Sequence, residues 1–170
     1  MSITTETQEH VALGERTFDV FGVQIQFLIA PEQASGKISL YRGTLRPGIV
    51  VPLHSHAEPE IFYVLEGDLE VYQESGARQG WSTSRAGNVI AVPGDVKHAL
   101  RNTSSSPATT VLVTQDQLYG FFREMAKPLD GQPAAPPSPE EMQRLFVAAA
   151  RYAYWMGSPE ENAAIGINLR

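Results

Sequence analysis

Two histidines one residue apart, His54 and His56, and a glutamate four positions later, Glu60, sit inside "GIVVPLHSHAEPEIFYVLEG", residues Gly48 to Gly67 of this 170-residue chain. On an extended strand, side chains at i and i+2 share a face and lie roughly 6.5 Å apart along the backbone. The two imidazoles can therefore converge on one ion. Glu60 follows a break at Pro59, and alternation from it places Phe62 and Val64 on the same face as the carboxylate. Of the four histidines, His10 belongs to a polar N-terminal stretch, which leaves His98 as the further donor. It lies in "GNVIAVPGDVKHALRN", with Leu100 its neighbour by alternation. There Pro93 and Gly94 are expected at the centre of a type II turn, Gly94 supplying the positive φ and the turn folding one strand back onto the next. Three imidazoles and one carboxylate suit a single divalent transition ion: Fe, Mn, Ni, Co, Cu or Zn. Such a set leaves one or two positions of a six-coordinate ion open.

The elements that must carry these residues read as short β segments between about Phe18 and Gln115, separated by turn chemistry. "EGDL" offers Gly67-Asp68 as a two-residue hairpin turn, and "ESGA" at Glu74 to Ala77 is another hairpin signal. This pattern predicts an all-β antiparallel sandwich or barrel over 18–115, after an N-terminal arm at 1–17. Residues 116–170 read as a helical C-terminal extension. Leu118, Phe121, Phe122 and Met125 form a short helical stripe, and a Pro-rich connector covers 127–139. Ser138 as N-cap, Pro139 at N1 and Glu141 at the capping-box position then open a second helix. Its expected apolar face is Met142, Leu145, Phe146, Ala149, Tyr152, Ala153 and Met156, with Gly157 as its stop. Both stripes read first as packing against the β body; their place after the barrel also suits a lid over its mouth.

Composition narrows the function. With 42% apolar residues the chain can bury a core, and a net charge of -6 argues against nucleic-acid and anionic-membrane partners. There is no cysteine, so thiolate ligands, disulfides and a cysteine nucleophile are excluded. The N-terminal stretch lacks the features of a secretory leader and no apolar run is long enough for a spanning helix, so a cytoplasmic protein is expected. Phosphate-loop and dinucleotide fingerprints are missing. Glu58 is less well placed for chemistry by alternation. Asn102 reads as a strand-end structural residue, and Arg42, Lys97 and Arg101 read as solvated charges. The segment around Trp81 reads as either an edge strand or a dimer contact.

The spacing Gly48-x5-His54-x-His56-x3-Glu60-x6-Gly67 resembles the first motif of the cupin superfamily at every position. Gly87-x5-Pro93…His98-x3-Asn102 resembles the second, except that Asp95 stands where the family commonly has glycine. The resemblance implies a jelly-roll β-barrel with its metal inside, held by His54, His56, Glu60 and His98. "EIFYVLEG" and "GFFREMAKP" look most like the single-cupin, quercetin-dioxygenase-like group. The implied activity is a metal-dependent dioxygenase using O2 on a small aromatic or enolisable substrate. Glu60 would act as both ligand and general base, and Phe62, Val64 and Leu100 would line the substrate pocket. Two alternatives carry the same fold. One is a non-oxidative enzyme (isomerase, lyase or polyketide-cyclase-like) using the ion as Lewis acid; the other is a small-molecule-binding cupin without catalysis. A homodimer is the family expectation.

Overall fold

The computed structural model describes residues 16–129 and 138–169. Nearly all of the expected N-terminal arm, His10 included, and most of the Pro-rich connector lie outside the described residues. Ten strands follow in order before the first α-helix, with a 3-10 turn at Pro31–Ala34 after the second: β1 Phe18–Val20, β2 Val23–Ile29, β3 Ile38–Leu45, β4 Val50–Ser55, β5 Glu60–Glu66, β6 Asp68–Gln73, β7 Gly80–Arg85, β8 Val89–Val92, β9 His98–Arg101 and β10 Ala108–Gln115. The helix α1 Asp116–Met125, a short strand β11 Lys127–Pro128, the helix α2 Pro139–Arg151, a short strand β12 Trp155–Met156 and the helix α3 Pro159–Ala164 complete the chain.

The strands form a jelly-roll sandwich of two antiparallel sheets, one ordered β11-β1-β2-β3-β10-β5-β8 and the other β12-β4-β9-β6-β7. Alternation builds it: along β5, Glu60, Phe62 and Val64 are buried while Ile61 and Tyr63 are exposed. The core between the sheets holds Phe27, Tyr41, Leu69, Val71 and Ile90, capped by Leu118, Phe121 and Met125 of α1. Phe27, Tyr41 and Tyr119 pack edge-on or tilted with centroids 5.5 to 6.1 Å apart, the offset geometry aromatic pairs favour.

Two of the expected turns, the hairpin turn at Gly67-Asp68 and the type II turn at Pro93-Gly94, are sheet-to-sheet corners. Strands β5 and β6 belong to different sheets, so Gly67 does not close a hairpin. Its φ is +73°, and a Cβ there would stand 2.2 Å from the Pro107 carbonyl oxygen. Close backbone approach is the reason for the glycine. Strands β8 and β9 are likewise in different sheets. The positive φ in the turn between them is at Asp95 (63°), not Gly94, and Asp tolerates that region better than most side chains. Gly94 is needed because its Cβ would meet the Ala57 carbonyl oxygen at 2.1 Å.

The C-terminal extension also differs from the expectation. α2 ends at Arg151, Ala153 takes φ 57°, and Met156 sits on a strand rather than a helix face. Phe146, expected on the apolar face, is exposed, while Leu145, Ala148 and Ala149 are buried. Through β12 and β11 the extension adds a strand to each sheet. No helix among the described residues is long and apolar enough to cross a membrane.

Candidate metal centre

His54 is the fifth residue of β4, and His98 opens β9 directly opposite it in register. A β-bulge between Val51 and His54 re-aims the end of β4. His56 follows the strand end, and Glu60 begins β5 after the Pro59 break. One ligating atom from each of His54, His56, Glu60 and His98 can be chosen so that all lie within 4.8 Å of one another. The His98 Nε2 stands 3.0 Å from Glu60 Oε2, and His56 Nε2 stands 3.9 Å from the same oxygen.

Ring orientation is fixed from behind. Each Nδ1 is within hydrogen-bond distance of a backbone carbonyl: His54 of Pro52 at 2.7 Å, His56 of Glu58 at 2.9 Å and His98 of Val96 at 2.8 Å. A carbonyl only accepts, so each Nδ1 donates, and in a neutral ring the Nε2 lone pair then faces the centre. The Nε2 atoms of His56 and His98 and the Oε2 of Glu60 are buried with no hydrogen-bond partner. Lone pairs facing lone pairs in a buried site need a shared cation or proton between them. The donor set therefore fits a divalent ion.

The electrostatics follow from the same crowding. Burial raises the Glu60 carboxyl, but the imidazoles of His98, His56 and His54 outweigh it and hold it down at about 2. Burial, with His98 and His56 adding to it, lowers His54 to about 3. Burial also lowers His98, yet its contact with Glu60 prevails and leaves it raised. Glu60 is thus an anion in the midst of imidazoles, the charge arrangement a cation site requires.

A cavity of about 150 Å³ opens beside the cluster. His54, His56 and Glu60 line it, while His98 does not and lies 1% exposed behind them. Phe62 and Leu100 line it too, but Val64 does not; it is fully buried two positions further along β5. Two residues of strand carry a side chain roughly 6.5 Å on, past the cavity wall. The remaining lining comes mainly from β1 to β4, with Thr110 of β10, and from the extension through Leu118, Phe121, Phe122, Leu145, Tyr154 and Met156.

Tyr154 and Glu58 stand out beyond the sequence reading. The Tyr154 hydroxyl donates to Glu58 Oε1 at 3.2 Å, and its ring lies 5.2 Å from that of His56. Glu58 is 3% exposed, its Oε2 3.5 Å from His56 Nδ1. Burial first, then the Glu58 charge, raises the Tyr154 phenol, so it stays protonated as the donor. Alternation could not find Glu58, because it sits in the irregular stretch between strands. Asn102 is structural as expected, its amide nitrogen donating to the carbonyls of Leu45 and Ser106. Lys97 and Arg101 are more than solvated charges, for they lie over Trp155 at 4.2 Å and Trp81 at 3.8 Å. Trp81 itself is on β7, the edge of its sheet, with its indole donating to the Ile165 carbonyl.

Residues 41–114 match the family model described as the cupin domain. A germin-like protein of Arabidopsis thaliana, subfamily 2 member 2, is 34% identical over 101 residues, 58% of this chain and 46% of its own length. The chain spans about half the length of the curated relatives it matches. Two solved structures share the fold. A predicted oxalate decarboxylase from Thermotoga maritima superposes with a TM-score of 0.53 at 24% identity, covering 59% of this chain and 93% of the other. A polyketide cyclase of Streptomyces resistomycificus gives 0.53 at 16% identity, covering 60% and 75%.

Proposed function

This chain is a member of the cupin superfamily, and from that premise we propose that it is a metal-dependent enzyme acting on a small aromatic or enolisable molecule, with dioxygenation as the reaction. The observation that carries the metal is the buried cluster of unpartnered Nε2 and carboxylate atoms, oriented by three Nδ1–carbonyl hydrogen bonds. His54, His56, Glu60 and His98 would hold the ion. A divalent transition ion there would supply Lewis acidity toward a substrate oxygen and, if redox-active, a route for electrons to O2. The chain's own part is to fix that position and keep water away with an apolar wall. Glu60 is the carboxylate that would accept a proton at Oε2 from the substrate carbon or hydroxyl. O2 chemistry is supported by the resemblance to the quercetin-dioxygenase-like group alone.

Metal analysis of purified protein checks the first step. About one ion per chain is expected, falling to a small fraction in His56→Ala and His98→Ala, since each removes an oriented donor. Stoichiometric metal in both variants would sink the site. Turnover of catechols and short enolisable ketones with and without O2 checks the second. Loss of turnover without O2 supports the dioxygenase, and unchanged turnover moves the reading to a lyase, isomerase or cyclase.

A homodimer belongs to the same proposal, supported by the outer face of the larger sheet. There Ile61, Tyr63 and Val89 are exposed side by side.

A further inference from the structure

The cavity beside the cluster carries a restriction on its ligand that follows from size and charge. Its volume, about 150 Å³, matches an apolar cavity known to hold one benzene-sized ring, and falls below the roughly 300 Å³ at which pockets for drug-sized ligands begin. Apart from His54, His56, Glu60, Thr110 and two tyrosines, its lining is apolar. Both tyrosine hydroxyls are engaged, Tyr154 with Glu58 and Tyr41 with Ser39. Among the described residues that line it, none is Lys or Arg. The buried Glu58 carboxylate lies just behind Tyr154, adding negative charge on that side.

The charge balance then decides. At the ion itself, three neutral imidazoles, one carboxylate and a divalent charge sum to a single positive charge, which the Glu58 carboxylate behind Tyr154 only diminishes. A ligand with one negative charge neutralises the site. A second negative charge would be buried against an apolar wall with no cation to pair it, an arrangement that binding energy rarely offsets.

We propose that this site takes a substrate with one apolar ring, or a branched aliphatic body of that size, and a single oxygen head group bearing no more than one negative charge. Oxalate and other polycarboxylates are excluded, and so are three-ring flavonols. Part of this wall comes from the extension. Leu118, Phe121, Leu145, Tyr154 and Met156 all fall outside residues 41–114, the part that matches the family. The inference rests on the metal-centre reading for the head group and on the cavity alone for the ring.

Two arms of one experiment separate these. In the first, protein loaded with Co(II), whose visible absorption reports its ligands, is titrated with benzoate, phthalate, oxalate and quercetin. Benzoate is expected to shift the spectrum and to bind at least about tenfold more tightly than phthalate, which keeps the ring and adds a charge, and than oxalate, which has two charges and no ring. Quercetin is expected not to bind. Phthalate or oxalate binding as tightly as benzoate overturns the proposal, as does saturable binding of quercetin. Met156→Arg, placing a cation at the half-buried end of the wall, is expected to narrow the gap between benzoate and phthalate; an unchanged gap in a folded variant overturns the charge argument. In the second arm, 4-fluorophenol is added to metal-free protein, where it is expected to raise Tm by filling the cavity. No shift overturns the ring assignment whatever the metal does. If Co(II) itself fails to bind stoichiometrically, the metal reading falls instead, and the second arm still decides the pocket.

Discussion

At the scale of single residues, the three clustered imidazoles are aimed by backbone carbonyls, and Glu58 is held by Tyr154. Replacing Tyr154 by Phe keeps the ring against His56 but removes the hydroxyl that donates to Glu58 Oε1. A buried carboxylate oxygen then loses its donor, which should cost about 1–3 kcal/mol in urea unfolding of the metal-free protein. An unchanged midpoint and slope would mean that the hydrogen bond contributes nothing. Asp19 gives a pH-dependent case away from the cluster. Burial raises its carboxyl above the ordinary value, only partly reversed by the Gly22 N–H and by Lys127 and Arg46. The folded chain therefore keeps a proton there that the unfolded chain, titrating near about 3.9, has already released. Stability from this group is present at low pH and is lost as pH rises through the folded value. Asp19→Asn retains an acceptor for Gly22, so its stability relative to the parent should be higher at about pH 7 than at about pH 3.5, compared by urea midpoints. A difference of the opposite sign refutes the raised carboxyl. The cluster was legible because His54, His56 and Glu60 are close in sequence and strand geometry is regular. Tyr154 was not, since its contact with Glu58 spans 96 positions and no local period encodes it.

At the scale of elements, the ligand-bearing strand β4 is buttressed by the extension. β12 pairs with it, setting Met156 opposite His54 and Trp155 opposite Ser55. Asn162, fully buried in α3, accepts from the Leu53 N–H at 2.8 Å and donates to the carbonyls of Gly157 and Ser158. Gly157 in turn donates to the Leu53 carbonyl. One side chain thus ties α3, the turn before it and β4 together, next to His54. Asn162→Ala would leave the Leu53 N–H buried without a partner, at a cost of about 1–3 kcal/mol. It should also loosen His54, so metal affinity measured by competition with a chelator is expected to fall by about tenfold, the size seen when groups orienting a ligand are removed. A loss of stability with unchanged affinity would show that β12 and α3 only stabilise the fold. The strand pattern over Phe18–Gln115 could be read from alternation, and so could the capping box at Ser138 and Glu141, both being local. The partner of each strand could not. Gly67 and Gly94 look the same in a hairpin as at a corner, and only the nearby carbonyls of Pro107 and Ala57 tell the two apart.

At the scale of the whole molecule, the larger sheet turns an apolar face outward where nothing among the described residues covers it. Ile61, Tyr63 and Val89 are 42%, 45% and 51% exposed. Tyr63 lies opposite Val89 on one side and Val111 on the other, and Ile61 opposite Ala91 and Val113. Ile38, on β3 of the same sheet, is 49% exposed as well. The outward positions of β5, β8 and β10 therefore make an apolar surface, bordered toward β3 by Arg42 opposite Val111 and by Gln115 opposite Ile38, in contrast to the polar outer side that a solvated antiparallel sheet carries. Among the described residues strand β8 is also an edge of this sheet, capped at the Ala91 carbonyl by the Gln73 amide, and an edge beside an apolar face invites pairing with a copy of itself. A two-fold axis through this face would bring the same residues together from both subunits. Light scattering coupled to size exclusion should give a mass twice 18.6 kDa. Ile61→Lys with Tyr63→Lys should halve it: the charges at the centre of a two-fold contact repel, whereas on a free surface they are near neutral for folding. A parent protein that runs as a monomer removes the dimer. A variant that stays dimeric moves the contact to another face.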